Sequence, residues 1–304
     1  MTTSDWGELD PAWAGIREDL VELDAGPVRL LRADAAPGVG AGEPQLLVHG
    51  LGGSASNWID VIGGLRRFGP VVALDLPGFG HTPAASGTAL TVAGHRDRVL
   101  ALADALGWDS FTLHGNSMGG LVATLIAAEH PERVGRLVLV APAFPPTSAV
   151  RLVPPPWATL SGVAPMAVRS RRTRALMRLI FTDPARVRPA LLDVMAADAR
   201  PRDEQEAIDH QQALSQSTRS IAAMWLDPRR VYRAIDAVQA PTLLLGGTAD
   251  ALVAARVLRR VLARRPEWTG AVLDGHRHAL MLDAPEVFLE EVARWHDTVT
   301  SARA

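Results

Sequence analysis

The sequence predicts an α/β protein whose mostly parallel central sheet carries helices on both faces and an inserted helical cap. Short apolar runs of strand length alternate with longer helical runs, a pattern typical of parallel sheets joined by crossover helices. The alternation stops in the middle of the chain and then resumes, which indicates an insertion. The 304 residues, of which 48% are hydrophobic, are enough for one large domain with a buried core.

The composition excludes several kinds of chemistry. The chain has no cysteine, which rules out disulfides, thiolate catalysis and cysteine-ligated metals. It also has no lysine, since all 31 basic residues are arginine, and this rules out a lysine Schiff base. The formal net charge of −2 gives no reason to expect nucleic acid or a membrane surface as a partner.

No segment predicts export or membrane insertion. The N-terminal 15 residues carry three acidic residues and lack the basic start of a secretory signal. The longest stretch near membrane length without acidic residues or arginine, Phe111 to Ala128, contains three glycines and is interpreted as strand, turn and helix. We therefore expect a cytoplasmic protein without a membrane span.

Short apolar runs between turn residues predict the strands of the first half of the chain. These strands are expected at residues 19–24, 28–33, 45–48, 71–74, 111–113 and 136–140. Gly26-Pro27 lies between the first two, which resemble an opening pair. Pro77-Gly78 follows the fourth strand and stops it.

Three helices are predicted between these strands, at residues 57–65, 91–106 and 118–129. The first is a weak prediction. The second has apolar Val92, Val99 and Leu102 near a 3.6-residue period, with Gly107 beyond its end. The third is apolar and stops before Pro131.

The middle of the chain breaks this pattern. Six prolines lie between residues 142 and 156, and no strand-like run follows until about residue 234. Helical runs are expected there at 167–181, 184–197 and 204–214. The simplest account is a helical cap, or lid, at 145–234 inserted into a core formed by 1–144 and 235–304; the alternative is a long tail to the strand at 136–140.

Alternation resumes after the cap. Strands are predicted at 241–246 and 270–273, and helices at 251–263 and 285–298. The last helix begins at a proline, which is favoured at a first helical position. The chain therefore ends as it began, with strands and helices in turn.

The segment Gly115-Asn116-Ser117-Met118-Gly119 carries the strongest functional signal. It has the form Gly-x-Ser-x-Gly between a predicted strand and an apolar helix, and a serine on such a turn stands clear of the sheet. The positive dipole end of the following helix favours developing negative charge. We predict Ser117 as a nucleophile; the alternative is a solvated serine in a glycine-rich turn.

The segment His49-Gly50-Leu51-Gly52-Gly53 follows the strand at 45–48 and suits a loop that donates a backbone N–H to an oxyanion. We predict Leu51 as this donor, with Gly52 in reserve, and the N–H of Met118 as the second donor. His49 is interpreted as a structural residue. A purely structural turn is the alternative.

An acid and a base are predicted after the last two strands. Asp250 follows the strand at 241–246, where active-site groups of open α/β sheets lie, although an aspartate there could also cap the next helix. Asp274 and Asp75 compete with it. His278, seven positions before Pro285, is the predicted base, and His276 is its competitor.

The chain resembles the α/β-hydrolase family, in its lid-bearing, serine-esterase-like branch. The matching motifs are HGLGG at 49–53, DLPGFG at 75–80, GNSMGG at 115–120, GTAD at 247–250 and HRHALMLDAP at 276–285. They also follow the family order of serine, acid and histidine. In this family the catalytic histidine commonly follows a glycine and precedes a proline by seven. His278 meets only the second condition, which keeps His276 in play.

The resemblance implies a hydrolase that cleaves a carboxylic ester, or a related acyl bond, of a small, partly apolar substrate. It implies an acyl-enzyme, a Ser117–His278–Asp250 triad, no metal and no cofactor, and it makes Asp75 a loop-shaping residue. Carbon–carbon bond hydrolysis, lactone opening, perhydrolysis and acyl transfer to an alcohol stay open. Relatives that open epoxides or remove halides use aspartate where Ser117 stands. A non-catalytic receptor on this fold is the alternative from another class.

The cap sequence leaves the choice of substrate open. Residues 145–234 hold 14 arginines and 8 acidic residues, so a basic cap could favour anionic acyl groups, unless these arginines simply face water. Gly52 is a further candidate for substrate binding. Trp157, Phe181 and Trp225 are candidates for an apolar substrate pocket, although each could equally serve core packing.

Overall fold

The computed structural model describes residues 5–84, 89–146 and 187–301. Eight strands form one sheet: β1 (Arg17–Leu23), β2 (Gly26–Ala33), β3 (Gln45–Val48), β4 (Val71–Leu74), β5 (Phe111–Asn116), β6 (Val134–Val140), β7 (Thr242–Gly247) and β8 (Thr269–Leu273). Their spatial order is β1-β2-β4-β3-β5-β6-β7-β8. All of the strands predicted from the sequence are present, and their bounds differ by up to three residues.

The sheet is mostly parallel, as predicted. Strand β2 pairs antiparallel with both β1 and β4, and every other neighbouring pair is parallel. The opening pair turns at Gly26, whose φ of 101° is one that L side chains rarely adopt. In the parallel part, Val48 lies opposite Gly115 and Gly247 lies opposite Leu273, so the strands end at one edge of the sheet.

Nine α-helices are found in the described ranges: α1 (Ile59–Leu65), α2 (Val92–Ala105), α3 (Met118–Glu129), α4 (Pro189–Asp198), α5 (Glu204–Leu226), α6 (Pro228–Ala237), α7 (Ala255–Arg264), α8 (Leu280–Asp283) and α9 (Pro285–Ser301). Short 3-10 turns precede β1 and α1 and follow α3.

Helix α4 begins at Pro189, later than the predicted 184. Two other predicted helix bounds were wrong for physical reasons. Helix α7 begins at Ala255 rather than Ala251, because the Asp250 side chain holds a separate turn that precedes it. Helix α5 continues to Leu226 rather than ending at Leu214. The serine-rich stretch after Leu214 has weak helix propensity, but Ser217 and Ser220 hydrogen-bond to the core there, so tertiary contacts outweigh it.

Alternating strand residues build a hydrophobic layer on each face of the sheet. Leu46 and Val48 pack into one layer and Leu47 into the other; Leu139 and Val140 divide in the same way. Helices α2, α3, α6 and α7 cover the first layer, and α1, α8 and α9 cover the second. The prediction of helices on both faces is therefore confirmed.

The described residues between β6 and β7 form helices α4, α5 and α6 and no strand, which confirms an inserted helical region. The bounds of the cap at 145 and 234 stay a prediction, and α6 spans the second of them. The predicted helix at 167–181 lies outside the described residues, as do Trp157 and Phe181.

None of the helices in the described ranges is both long enough and apolar enough to cross a membrane.

Candidate active site

Ser117 occupies the turn between β5 and α3 in a strained backbone conformation. Its φ is 53° and its ψ is −116°, and among the non-glycine residues of the described ranges only Ser117 and Ala141 have a positive φ. Such a conformation costs about 1–3 kcal/mol and persists only where the surroundings impose it. Here the Ser117 N–H donates to the Val140 carbonyl, and its own carbonyl accepts from Leu121 and Ala143.

Glycines allow the strands and α3 to approach this turn. A side chain at Gly119 would collide with the carbonyl oxygens of Val48 and His49, and one at Gly115 would collide with the Gly119 backbone. At Gly50 a Cβ would lie 3.0 Å from the Ser117 Cβ. The loop after β3 is therefore in direct contact with the serine turn.

His278 and Asp250 form a buried pair at the ends of β8 and β7. The His278 Nδ1 lies 2.8 Å from the Asp250 Oδ2, and the residues are 5% and 7% exposed. The other carboxylate oxygen, Oδ1, accepts from the N–H groups of Leu252 and Val253 at 2.7 and 2.9 Å. Asp250 therefore holds a turn as well as an imidazole, but it does not cap the next helix as the alternative interpretation expected, because the N-cap of α7 is Ala254.

This pairing fixes the state of the imidazole. A carboxylate only accepts hydrogen bonds, so Nδ1 of His278 carries a proton and donates it to Asp250. In this tautomer of the imidazole, Nε2 is the acceptor nitrogen, which is the arrangement a general base requires.

The competing residues lie elsewhere. Nδ1 of His276 is buried and has no hydrogen-bond partner among the described residues, while its carbonyl accepts from the Ala249 N–H. Asp274 is exposed and accepts from the Thr248 hydroxyl at 3.0 Å. The structure thus brings His278 to Asp250, and among the described residues it pairs neither His276 with Asp250 nor Asp274 with His278.

Asn116 joins the histidine loop to the serine turn. Its side-chain amide donates to the carbonyls of Val140 and His278, at 3.0 and 3.2 Å. The backbone of His278 is therefore tied to the residue just before Ser117. Sequence reasoning gave Asn116 no role, although it is the variable position of the Gly-x-Ser motif.

The loop that carries Leu51 turns tightly after β3. The Gly53 N–H donates to the Gly50 carbonyl, and Gly52 has a φ of 71°. The hydrogen bonds found among the described residues use neither the N–H of Leu51 nor that of Met118.

His49 has a structural role, as interpreted from the sequence. Its Nδ1–H donates to the Gly50 carbonyl at 2.7 Å, and its Nε2 accepts from the Leu76 N–H at 2.9 Å. Complete burial lowers its pKa below the ordinary value, so the ring is neutral. It fixes the start of the Leu51 loop against the loop after β4.

Asp75 shapes the loop after β4. Its oxygens accept from the N–H groups of Ala55 and His81, at 2.6 and 2.8 Å, and pair with Arg29 at 3.2 Å. A side chain at Gly80 would collide with its carboxylate. The Asp75 carboxylate therefore fixes backbone N–H groups of two segments and pairs with the buried Arg29.

Two residues of α5 come close to these loops. The indole N–H of Trp225 donates to the Ala143 carbonyl at 2.9 Å, and the Ala143 N–H donates to the backbone carbonyl of Ser117. Leu214, which sequence reasoning missed, has its Cδ1 3.9 Å from the position a Cβ would take at Gly52. The inserted helical region thus contributes apolar side chains near the serine turn and the Leu51 loop.

In the described ranges, no group of three or more histidine or carboxylate side chains is arranged to hold a metal ion.

A family model described as the alpha/beta hydrolase fold matches residues 44–285. The chain is 32% identical over 264 residues to the dihydrolipoyllysine-residue acetyltransferase component of an acetoin cleaving system from Pseudomonas putida. That match covers 85% of this chain but 64% of the relative, so the chain spans less than two thirds of that protein.

Two hydrolases are also similar. Identity is 30% over 230 residues to a 2-hydroxymuconate semialdehyde hydrolase from Pseudomonas sp. strain CF600, covering 70% of this chain and 72% of that protein. It is 30% over 251 residues to a pimeloyl-acyl-carrier-protein methyl ester esterase from Neisseria meningitidis, covering 80% and 88%. Carboxylesterase CesB from Bacillus subtilis shares the fold, with a TM-score of 0.74, 95% coverage of both chains and 19% identity.

Proposed function

Because the chain belongs to the α/β-hydrolase family, we propose that it is a serine hydrolase that cleaves a carboxylic ester, or a related acyl bond, of a small, partly apolar substrate. The observation that carries the proposal is the buried hydrogen bond between His278 and Asp250, which leaves Nε2 of the imidazole as an acceptor. It lies at the edge of the sheet where the strained turn presents Ser117.

The proposed reaction is acyl transfer through Ser117. Neutral His278 takes the Ser117 proton as the oxygen attacks the substrate carbonyl, and Asp250 stabilises the imidazolium that forms. Return of this proton to the leaving alcohol gives the acyl-enzyme. Water, activated by the same imidazole, then releases the acid. Every proton moves between groups of this chain, the substrate and water, so the reaction needs no cofactor.

The N–H groups of Leu51 and Met118 are the proposed oxyanion donors. Each lies in a segment that contacts the serine turn, and neither is used by another described group. One such donor contributes about 3–4 kcal/mol to lowering the barrier in a well-studied protease. The helix dipole of α3 adds to the same field at its N-terminus.

A second candidate is hydrolysis of a carbon–carbon bond in a vinylogous diketone by the same triad. The similarity to a 2-hydroxymuconate semialdehyde hydrolase favours it, and the similarity to a methyl ester esterase favours ester cleavage. A panel of aryl esters of increasing acyl length, assayed beside a dienoic diketone, separates the two. Faster turnover of the diketone would replace the ester proposal.

Labelling with a fluorophosphonate tests the nucleophile. We expect the wild-type chain to label once, at Ser117, as located by mass spectrometry of the labelled peptide. Ser117→Ala should abolish labelling, whereas Ser215→Ala should label like the wild type. A folded wild-type chain that does not label would instead indicate a non-catalytic receptor.

Paired histidine variants test the base. We expect His278→Ala to lower kcat by several orders of magnitude, because the serine then has no proton acceptor. His276→Ala should keep most of the activity, since His276 has no hydrogen bond to Asp250. Equal losses in the two variants, measured on the best aryl ester, would contradict the assignment of His278.

A further inference from the structure

Asp198, the last residue of α4, is buried against the core although it belongs to the inserted helical region. Its side chain is 6% exposed. A carboxylate at the C-terminal end of a helix is electrostatically unfavourable, because it meets the negative end of the helix dipole. Its position is therefore not explained by the stability of α4.

The carboxylate of Asp198 is held by groups of the core. Its Oδ2 accepts from the Ser54 and Ser56 hydroxyls at 2.7 and 2.5 Å and pairs with Arg29 at 3.4 Å. Its Oδ1 lies 3.5 Å from Nε2 of His81. Both serines are buried, so their hydroxyls have little access to water as an alternative partner.

These serines directly follow the loop that carries Leu51. Ser54 adjoins Gly53. The backbone N–H of Ser54 is already used, because it donates to the side-chain oxygen of Asn57 at 2.8 Å. The Ala55 N–H donates to Asp75 at 2.6 Å. Asp198 therefore supplies the side-chain anchor, and Asp75 the backbone anchor, of the segment that ends the loop.

We propose that Asp198 is a positioning residue that, through Ser54 and Ser56, holds the Leu51 loop in the geometry that accepts the oxyanion. The inference rests on the proposed function. Asp198 acts through the two serines and touches neither substrate nor Ser117. Because it comes from the inserted helical region, the oxyanion site is complete only when α4 is docked on the core.

Kinetics of Asp198→Asn test the proposal, with Asp193→Asn as the matched control on an exposed face of the same helix. Loss of a whole oxyanion donor costs 10²–10³ in kcat, so a displaced donor should cost about tenfold or more. We expect that fall in kcat with KM almost unchanged. Affinity for a trifluoromethyl ketone, which forms a tetrahedral oxyanion adduct, should fall in parallel, and Asp193→Asn should match the wild type.

A double-variant cycle separates positioning from a purely structural role. Ser54→Ala/Ser56→Ala should reproduce the loss in kcat, and Asp198→Asn should add little in that background. This variant retains Asp198 and carries the test if Asp198→Asn fails to fold. A lowered melting temperature with unchanged kcat and ketone affinity would overturn the proposal, as would independent, additive losses. A wild-type chain that fails to label with fluorophosphonate would instead overturn the proposed function.

Discussion

Position 119 must lack a side chain for the serine turn to form. Helix α3 starts so close to the end of β3 that a Cβ there would meet the Val48 and His49 carbonyl oxygens. These are rigid backbone atoms, so relief would require α3 or the Leu51 loop to move. Glycine is required at position 119 because of close packing, and not because of its backbone conformation.

Gly119→Ala should therefore reduce both stability and activity. We expect the free energy of unfolding in urea to fall by about 1–3 kcal/mol, as for other overpacked sites, and fluorophosphonate labelling to slow. Gly63→Ala is the matched control, because a Cβ at this exposed position of α1 meets only the Ala12 carbonyl at 3.7 Å. It should be neutral or stabilising by up to about 1 kcal/mol. Equal effects of the two substitutions would contradict this account.

Candidate site residues that directly follow strands can be predicted from the sequence. Residues whose hydrogen-bond partners lie far away in the chain cannot. Ser117, Asp250 and His278 each lie just beyond a strand, and the edge of a parallel sheet gathers such positions. Their catalytic roles stay predictions. Asn116 and Asp198 escaped prediction because their partners, His278 and Ser54, are more than 140 residues away.

Among the elements, α5 depends most on contacts that its sequence does not reveal. Its N-terminus follows ordinary rules, since the Asp203 side chain accepts from the Glu206 N–H at 2.8 Å. Beyond Leu214, buried Ser217 donates to the Leu90 carbonyl at 3.1 Å and accepts from His95 at 2.9 Å. The helix is thus stabilised from outside where its own propensity is weak.

Ser217→Ala should destabilise the protein by about 1–3 kcal/mol, because it leaves the His95 N–H and the Leu90 carbonyl buried without this partner. Ser215→Ala, two residues earlier on the same helix and half-buried, should change the free energy of unfolding by less than about 0.5 kcal/mol. Urea unfolding curves of the two variants provide the comparison. A difference within error between them would show that the Ser217 bonds contribute nothing.

At the scale of the whole molecule, burial keeps the rings of His49, His95 and His114 neutral in the folded state. Burial lowers the pKa of His95 and of His114 to about 3, from an ordinary value of 6.5, and it also lowers the pKa of His49. Nδ1 of both His95 and His114 is buried without a partner among the described residues. A proton added to Nδ1 of either ring would therefore find no hydrogen-bond acceptor within the described part of the interior.

Stability should consequently fall as the pH drops below about 6.5. The unfolded chain takes up protons there that the folded chain cannot bind, so each histidine removes up to about 1.4 kcal/mol per pH unit, until the folded pKa is reached. Urea unfolding at pH 7.5, 6.5, 5.5 and 5.0 measures this decline. His114→Gln should be less stable at pH 7.5 but should lose less stability on acidification. If the free energy of unfolding of His114→Gln fell with pH as steeply as that of the wild type, the neutral state of buried His114 would be contradicted.

The fold as a whole was the most predictable level, because strand and helix alternation is a property of sequence periodicity alone. The packing of the cap was the least predictable, since it depends on which distant polar groups meet. Arg29, in the antiparallel edge of the sheet, bonds Glu18, Asp75 and Asp198 from three separate parts of the chain. No local sequence pattern predicts such a cluster of charged side chains.

The hydrogen bond from Asn116 to the His278 carbonyl has a consequence for biosynthesis. It joins groups 162 residues apart, and His278 lies beyond β8, the edge strand of the sheet, which pairs with β7. A nascent chain whose translation has not passed β8 lacks the imidazole that would activate Ser117. The proposed nucleophile therefore stays unreactive toward cellular esters until the segment after β8 has been translated and folded.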